Sequence, residues 1–496
     1  MSGIRVTYSG LISFSIGLVG VLTGLIFTLI ITRELSQEEF GTWSLIGGLT
    51  GYVLILEPII SYWTTREIAR NKKSGKTAIL SSGIFSAMAI PIYFLIVILF
   101  VTHSNVDKNI LLFSAILIPV LFFRHVLASI NFGYKPQVVS YGLLVFEVTK
   151  IPVALFLIYF MNMGVYGAII TAFVAGISSI FVQIILSYEK MKGEFSFQSF
   201  KKWIKLFWLP TYPRLSEIIS NSDIVIFTLI IGSIEALSFW VVAMAIGGVI
   251  LHSTKISKAI YPKLLGGGKK EYLQENIVRV FYFSIPLVVM TIVFARPALF
   301  TLNPIYEDAV IVVWIISILV FLRMLSNVFN LSVSGIEKVD LNDKATVKDY
   351  IKSKLFYLPT LRIIQRGIYL IILAIVLLLV QSEKFSDLYL VTIWALIALF
   401  SQIPYTVYLF VITKKEFKLK INLKPIFKYT FASIISFGIS YILMNEYLEY
   451  KTSVFEFLPQ MFVFMILGIT IYFIITFLID LKTRNLVKKI LLEIKK

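Results

Sequence analysis

The amino-acid sequence predicts an all-α integral membrane protein with about fourteen transmembrane helices. Of its 496 residues, 58% are hydrophobic and 15% are charged, whereas a soluble domain needs more polar surface than this to face water. Uncharged apolar runs recur from residue 9 to residue 480, and they are long enough to cross a hydrocarbon core of about 30 Å as helices. Lysine and arginine lie mainly in alternate connections between these runs. These three observations leave little of the chain for a soluble domain.

The first span is predicted near residues 9–32. This run is longer than the apolar core of a signal peptide and is not followed by a small-residue cleavage site, so we expect it to remain as a membrane helix. Thirteen further spans are predicted at 40–62, 77–101, 109–130, 138–160, 164–187, 209–232, 236–254, 279–300, 309–331, 358–380, 388–412, 425–444 and 460–480. The predicted outward connections are short, and the longest runs from about residue 445 to residue 459.

The basic residues predict the orientation of the helices. If the N-terminus is cytoplasmic, 36 of the 46 lysines and arginines lie in inward-facing segments, which is the bias that cytoplasmic loops carry. Only four basic residues fall in outward connections, namely Arg33, Lys108, Lys384 and Lys451. We therefore predict that both termini face the cytoplasm. The formal charge of +18 follows from this topology, and because it is spread over many short loops we expect no nucleic-acid partner.

An internal repeat divides the predicted helices into two pseudo-symmetric lobes. The string Phe-Thr-Leu-Ile-Ile occurs at 27–31 and again at 227–231, each time closing a span that precedes a tryptophan and an Ile-Gly-Gly sequence. Chance similarity of apolar sequence is the alternative explanation. A parallel repeat of six-helix halves is a transporter architecture. The predicted domains are residues 1–190 (helices 1–6), residues 191–412 (helices 7–12, with an interfacial amphipathic segment at 195–208) and residues 413–496 (helices 13–14 and a basic tail).

The composition excludes several chemistries. The chain has no cysteine, and its three histidines, His103, His125 and His252, do not have the spacing of metal ligands. We therefore expect no metal cofactor. No nucleotide-binding P-loop is present, so we expect no nucleotide cofactor either. No outward loop is large enough for a catalytic domain, and we expect the protein not to be an enzyme.

Charged residues inside predicted spans are the candidate functional residues, because a charge at the bilayer centre costs ~2.5–3.5 kcal/mol on insertion scales and usually faces a cavity or a partner. In the fifth span Lys150 follows Glu147 by three residues, which places both on one helix face. They could form an intrahelical pair that serves only folding. Alternatively, Lys150 attracts a phosphate group in a cavity and Glu147 is its counter-charge.

The seventh span carries Arg214, Glu217, Asn221 and Asp223. The first three follow helical periodicity and indicate one polar stripe, which in a membrane helix lines water or a neighbouring helix. Arg214 is close enough to the inner end to reach the interface instead. Asp223 lies deeper, and together with Glu217 it is a candidate for coupling transport to a cation or proton.

Two further helices carry arginines. In the tenth span Arg323 and Asn327 share one face, and the planar donor fork of arginine suits a diphosphate. Arg362 and Arg366, one turn apart in the eleventh span, are candidates for capturing a head group, although both could extend to the interface instead. Arg296, near the outer end of the ninth span, is predicted to be an interfacial anchor.

One acidic residue lies next to a proline in the second span. Glu57-Pro58 predicts a kink there, with Glu57 either a hydrogen-bonded structural residue or a fourth coupling acid besides Asp223, Glu147 and Glu217.

Three stretches carry a family resemblance. They are ITRELSQEEFGTWSLIGG at 31–48, NSDIVIFTLIIGSIEALSFWVVAMAIGG at 221–248, and AIYPKLLGGGKKEY at 259–272 followed by FSIPLVVMTIVFARPALFTLNPIYEDA at 283–309. With these stretches the sequence resembles the polysaccharide-transport family of lipid-linked oligosaccharide (O-antigen) flippases, within the multidrug/oligosaccharidyl-lipid/polysaccharide (MOP) flippase superfamily. The resemblance covers roughly residues 1–412.

This resemblance implies a function. It implies that two lobes move a polyprenyl- or dolichyl-(di)phosphate-linked oligosaccharide from the cytoplasmic to the outer leaflet of the cell (cytoplasmic or inner) membrane by alternating access. The basic residues inside the predicted spans are the candidates for a cationic cavity that binds the phosphate of such a substrate. They are Lys150, Arg214, Arg323, Arg362 and Arg366. No cofactor is expected, Na⁺ or H⁺ is a candidate coupling ion, and polysaccharide-assembly enzymes are candidate partners besides the lipid-linked substrate and the bilayer. The alternatives are a multidrug or organic-cation exporter of the same superfamily, a membrane polysaccharide polymerase or glycosyltransferase, and a scaffold protein.

Overall fold

A computed structural model describes residues 16, 19–20, 23–24, 26–69, 72–101, 106–257, 271–337, 339, 347–383, 385–419, 423–480 and 484. All regular structure in these residues is helical, which confirms the predicted all-α class. Twelve helical segments among them are long and apolar enough to cross a membrane, so the chain is a multi-pass membrane protein. The count of fourteen spans and the cytoplasmic position of both termini stay predictions.

The helices fall into two units. The first comprises Met1–Ser238 with Leu373–Lys384 and holds α1 (26–34), α2 (Gln37–Val53), α3 (Pro58–Ala69), α4 (Gly75–Val101), α5 (Lys108–Phe113), α6 (Leu117–Tyr134), α7 (Pro136–Ala154), α8 (Gly164–Met191), α9 (Phe197–Lys205) and α10 (Trp208–Ile231). The second comprises Phe239–Ile372 with Phe385–Lys496. The predicted domain boundaries at residues 190 and 412 stay predictions.

The helices from residue 234 onward lie mainly in the second unit. They are α11 (Ile234–Gly247), α12 (Glu271–Val293), α13 (Ala295–Leu302), α14 (Val310–Gly335), α15 (Val347–Ile351), α16 (Lys354–Val380), α17 (Asp387–Phe417), α18 (Leu423–Tyr447) and α19 (Val454–Ile479). Three apolar clusters form the core of this unit, and the largest includes Met324, Val328, Leu358 and Leu409. It joins α14, α16 and α17.

Two predicted spans are absent from the twelve. The first is described only in part, with 26–34 helical. The seventh is α10, a 24-residue helix that coincides with the predicted span 209–232 to within one residue at each end. Because it contains three charged residues, Arg214, Glu217 and Asp223, this helix is less apolar than an ordinary membrane span. The charged residues that make α10 a candidate functional helix are therefore also the reason why it is less apolar than the twelve other spans.

Prolines interrupt two of the spans. The chain leaves the α-helical form after Val53, makes a 3₁₀ turn at Leu54–Leu56 and resumes as α3 at Pro58, because proline has no N–H to continue the ladder. The predicted kink at Glu57-Pro58 is confirmed. In α7, Pro152 precedes a π-helical segment at Leu155–Phe160.

An amphipathic helix follows the sixth predicted span. It is α9, whose N-cap Ser196 accepts a hydrogen bond from the N–H of Ser199. The side chain of Trp203 is buried, and its Nε1–H donates to Glu67 Oε1 at 3.2 Å. The backbone N–H of Ser196 donates to Thr77 Oγ1. These contacts attach the segment to α3 and α4, whereas the predicted interfacial location stays a prediction.

Small residues allow helices of the first unit to approach closely. This is usual in membrane proteins, where the hydrophobic effect does not drive helices together and close packing does. The hydroxyl of Ser179 in α8 donates to the carbonyl of Gly142 in α7 at 2.7 Å. At Gly41 in α2 an added Cβ would overlap the carbonyl oxygen and Cγ2 of Ile234, where α11 begins. Gly47, two turns further along α2, has open space at the same position.

We expect Gly41→Ala to destabilise the protein, because the carbonyl of Ile234 is backbone and cannot move aside as a flexible side chain would. Overpacking of this kind costs about 1–3 kcal/mol, which lowers the temperature at which detergent-solubilised protein unfolds. Thermal unfolding followed by gel filtration measures this shift. Gly47→Ala is the matched control and should leave the midpoint unchanged; equal midpoints for the two variants would contradict the close approach of α2 to Ile234.

Candidate functional site

A buried ion pair lies inside the first unit on α7. Lys150 Nζ is 2.5 Å from Glu147 Oε2, and the two residues are only 7% and 8% exposed. The Oγ1 of Thr23, in the first predicted span, lies 2.8 Å from the same carboxylate oxygen and donates to it. Burial of an ion pair removes both charges from water, so these hydrogen bonds are needed to offset the desolvation cost. The predicted i, i+3 contact is therefore present and turned into the protein.

Aromatic rings and a second cation surround this pair. Lys150 Nζ lies 4.9 Å from the ring centroid of Phe27 and 5.4 Å from that of Phe146. The guanidinium carbon of Arg124, in α6, is 4.5 Å from the same Phe146 ring and interacts electrostatically with Glu147. Two cations thus face one carboxylate beside half-buried rings, and the group has a net positive charge.

Glu57 lies at the break between α2 and α3 and is 5% exposed. His125 Nδ1, in α6, is 3.9 Å from Glu57 Oε2, so a protonated histidine would form an ion pair there. His125 is the residue after Arg124, whose side chain contacts Phe146. A buried acid beside a histidine is suited to taking up or releasing a proton.

The residues of α10 differ in exposure. Asp223 is 5% exposed and accepts a hydrogen bond from the N–H of Ile224, while Glu217 and Asn221 are exposed on another face. Next to Asp223, the hydroxyl of Ser222 accepts a hydrogen bond from Tyr52, in α2. The side chain of Arg214 lies outside the described residues. Asp223 is therefore the buried acid of this helix, next to a residue that bonds to α2, and the side-chain amide of Asn221 also lies beside Gly51 of α2.

The second unit has its own cationic group. Arg362, in α16, donates from Nη2 to Asn327 Oδ1 in α14 and interacts electrostatically with Tyr405 in α17. Arg366, one turn along α16, is 9% exposed and also interacts electrostatically with Tyr405. Both arginines lie between helices, which argues against extension of their side chains to the membrane interface. Arg323, one turn before Asn327 on α14, is half-buried.

A polar network continues from this arginine group along α14 and α17. Gln402 Nε2 donates to Ser326 Oγ at 3.0 Å, and the hydroxyls of Ser326 and Thr406 are 2.9 Å apart. Gln365 Nε2, on α16 between the two arginines, lies within hydrogen-bond distance of Ser401. Polar networks between membrane helices fix the positions of the side chains they contain. This network joins the three helices beside the arginines, and Arg362 itself is held by its hydrogen bond to Asn327.

Two residues of these groups, Arg124 and His125, are not among the candidate functional residues that the sequence predicts. Arg124 counts among the basic residues of the predicted inward-facing segments, and the spacing of His125 from the other histidines excludes only a metal site. The signal that could have found them is their position inside the predicted span 109–130, where a charged residue needs a partner. Their partners, Glu147 and Glu57, are distant in sequence and could not be identified from it.

The predicted common chamber for Lys150, Arg214 and Arg323 stays a prediction, since Lys150 and Arg323 belong to different units. Each unit contains basic side chains that can neutralise an anionic group. In the first unit these are Lys150 and Arg124, and in the second they are Arg362 and Arg366, whose guanidinium groups are planar donor forks. In the part of the chain that the structure describes, no three histidine, aspartate or glutamate side chains are grouped as metal ligands.

Comparison with known proteins identifies the fold. No protein-family model and no curated protein matches the sequence. An inward-facing multidrug resistance MATE family transporter of the MOP superfamily aligns with a TM-score of 0.58 at 12% identity, over 83% of this chain and 100% of its own. A variant of the Vibrio cholerae MATE transporter VcmN gives 0.54 at 14% identity, over 85% and 99%.

A third similar structure comes from Pyrococcus furiosus. It is a MOP superfamily transporter described as having a binding pocket of reverse polarity, and it aligns with a TM-score of 0.54 at 13% identity over 84% of this chain and 96% of its own. At these identities the likeness shows the fold alone. The sequence Tyr-Pro-Lys-Leu at 261–264, within the stretch 259–272, lies outside the described residues. The chain has the helical fold of MATE transporters of the MOP superfamily.

Proposed function

We propose that this protein is a flippase that moves a polyprenyl- or dolichyl-(di)phosphate-linked oligosaccharide from the cytoplasmic to the outer leaflet by alternating access. The observation that carries the proposal is the charge of the buried groups. In the first unit Lys150 and Arg124 face the single carboxylate of Glu147, so an anionic head group would bring the local charge closer to neutral. An exported organic cation would be repelled by the same group.

The arginines of the second unit support the same class of substrate. Arg362 and Arg366 present planar guanidinium groups beside Asn327 and Tyr405, which is the donor geometry that phosphates accept. The Pyrococcus furiosus transporter with this fold is described as having a binding pocket of reverse polarity, which suggests a different function. This fold therefore accommodates binding pockets of different polarity.

Acidic residues provide the means of coupling in this proposal. Glu57, beside His125, and the buried Asp223 are candidates for binding H⁺ or Na⁺. Glu147 is the counter-charge that Lys150 releases when a phosphate binds. Glu217 is a fourth candidate acid and is exposed. The proposed site of action is the cytoplasmic (inner) membrane, where polysaccharide-assembly enzymes would supply and consume the substrate.

Reconstitution tests the proposal. Full-length protein is placed in liposomes that contain a fluorescent short-chain prenyl-diphosphate disaccharide, and an impermeant quencher reports how much label reaches the outer leaflet. We expect faster loss of fluorescence than in liposomes containing heat-denatured protein. Equal rates in the two preparations, at verified protein content, would contradict flipping.

An exporter of organic cations is the second candidate, and the MATE transporters with this fold favour it. The buried acids Glu57 and Asp223 could bind a cation. Ethidium efflux from the same liposomes under an imposed Na⁺ or H⁺ gradient distinguishes the two functions. Efflux without lipid flipping would replace the proposed function with this one.

A further inference from the structure

A cleft lies at one end of the second unit, away from the arginine group of α16. Its volume is about 630 Å³, within the range of small-molecule sites. It is lined by the end of α12 and the start of α13, by the start of α14, and by the end of α18 with the loop that follows. Both connections that border it, 300–309 and 445–459, are predicted to be outward-facing. The cleft therefore opens on the side where a flipped head group would emerge.

Three aromatic side chains line the cleft and remain exposed to it. Trp314, Tyr441 and Tyr450 are 44%, 47% and 43% exposed. The indole N–H of Trp314 donates to the carbonyl of Ile292 at 3.0 Å, which fixes the ring. Tyr450 is fixed by Phe300 and Phe457, with ring centroids 5.0 and 5.3 Å away. Held aromatic faces with polar tips bind ligands that have both an apolar face and hydroxyl groups.

Polar groups lie beside these rings. Arg296 and Asn445 line the cleft, and Arg296 Nε donates to Glu307 Oε1 at 2.6 Å. The Arg296 guanidinium also lies 5.8 Å from the Tyr450 ring centroid. The phenol of Tyr450 is protonated at neutral pH and can donate a hydrogen bond, and burial raises its pKa further. The guanidinium of Arg296 can donate hydrogen bonds, and the amide of Asn445 and the phenol of Tyr450 can both donate and accept, so together they suit hydroxyl groups.

The charge of the cleft decides between ligand classes. The carboxylate of Glu307 already neutralises Arg296, and at the rim Lys451 lies 3.4 Å from Glu456 and 3.7 Å from Glu449. A phosphate would have to displace a carboxylate from Arg296, so the cleft does not favour an anionic lipid head group. A neutral polyol can stack on the rings and use both members of the Arg296–Glu307 pair.

We propose that this outer cleft is a saccharide-binding site, which takes one or two sugar rings of the released oligosaccharide or a free sugar of the same chemistry. The inference rests on the proposed flippase function for the source of the sugar. It assigns Arg296 a role beyond that of an interfacial anchor. Trp314 and Tyr441 supply the stacking faces, and Asn445 with Arg296 supplies hydrogen bonds.

Saturation-transfer NMR on the full-length protein in detergent tests this site, with free N-acetylglucosamine and galactose as probes. We expect millimolar binding of at least one probe, and at least a fivefold weaker affinity in Trp314→Leu and in Tyr441→Leu. The second variant covers the case in which loss of the Trp314 hydrogen bond impairs folding. Phe455→Leu is the matched control, because Phe455 is 93% exposed near the same loop and does not line the cleft.

Three outcomes would overturn the inference: no binding of either sugar, equal binding by the cleft variants and wild type, or binding that phosphatidylglycerol abolishes by occupying the cleft itself. A short-chain prenyl-linked disaccharide, added as a second arm, distinguishes the cargo from free sugar by its tighter binding at the same residues. Because these experiments need no transport, normal flipping with no sugar at the cleft refutes this inference alone. Sugar binding without flipping leaves the cleft assigned and refutes the flippase.

Discussion

Replacing Lys150 with methionine is expected to lower the flipping rate of a lipid-linked saccharide by roughly 10- to 100-fold, which corresponds to loss of one charge-assisted contact of ~1.5–3 kcal/mol. Lys150 is buried between the Phe27 and Phe146 rings, where its charge is poorly screened. Methionine retains much of the side-chain volume and removes only the charge. The liposome assay, normalised to the amount of protein incorporated, measures the change.

Stability must be separated from transport in this experiment. Removal of one partner from a buried pair usually costs ~3–5 kcal/mol, but here Arg124 still faces Glu147, so we expect a smaller loss. The double variant with Glu147→Gln and Lys150→Met removes both charges and should recover thermal stability. If Lys150 serves the substrate, the double variant flips as slowly as Lys150→Met; if the double variant transports normally, the pair serves only folding.

Replacing Arg362 with glutamine should weaken binding of a short-chain prenyl diphosphate by about 10- to 100-fold, again the effect of one lost charged hydrogen bond. Arg362→Lys should give an intermediate affinity, because lysine keeps the charge but lacks the planar donor fork. This order is expected because Arg362 donates from Nη2 to Asn327 and lies beside Tyr405, which orients its guanidinium group. Fluorescence titration of detergent-solubilised protein provides the affinities.

A second arginine provides the control for this series. Arg484, after α19, donates from Nε to the carbonyl of Phe477 and lies apart from the arginine group of α16. Arg484→Gln should leave the affinity for the diphosphate unchanged. If Arg362→Gln and Arg484→Gln weaken binding equally, the effect is one of overall charge and the assigned diphosphate contact is wrong.

The helices could be predicted from the sequence because hydropathy acts locally. The predicted span 209–232 corresponds to α10, despite its three charged residues, and the proline after Glu57 correctly indicated a break in the second span. The segment 195–208 was recognised as amphipathic from its mixture of Phe, Trp and Lys, and α9 lies within it. Each of these features depends on residues that are close together in the chain.

The composition of the buried groups could be predicted only in part. Glu147 and Lys150 are one turn apart, so helical spacing sufficed to pair them. The contact of Arg124 with Phe146, and that of His125 with Glu57, depend on how α6 packs against α7 and α3, which the sequence of one helix does not encode. The same applies to α9: an amphipathic pattern gave the helix, but not the burial of Trp203 against Glu67.

The interruption of the second membrane helix also affects how that helix can move. A continuous helix resists bending because every turn is tied to the next, but Pro58 provides no donor for the carbonyl of Leu54, and the N–H of Glu57 bonds there instead. The angle between α2 and α3 can therefore change at this break with little loss of hydrogen bonding. Because Glu57 lies at the break with His125 beside it, a change of charge at Glu57 and a change of the angle between the two helices are linked. Distances between spin labels on α2 and α3, measured at two pH values, would report that linkage.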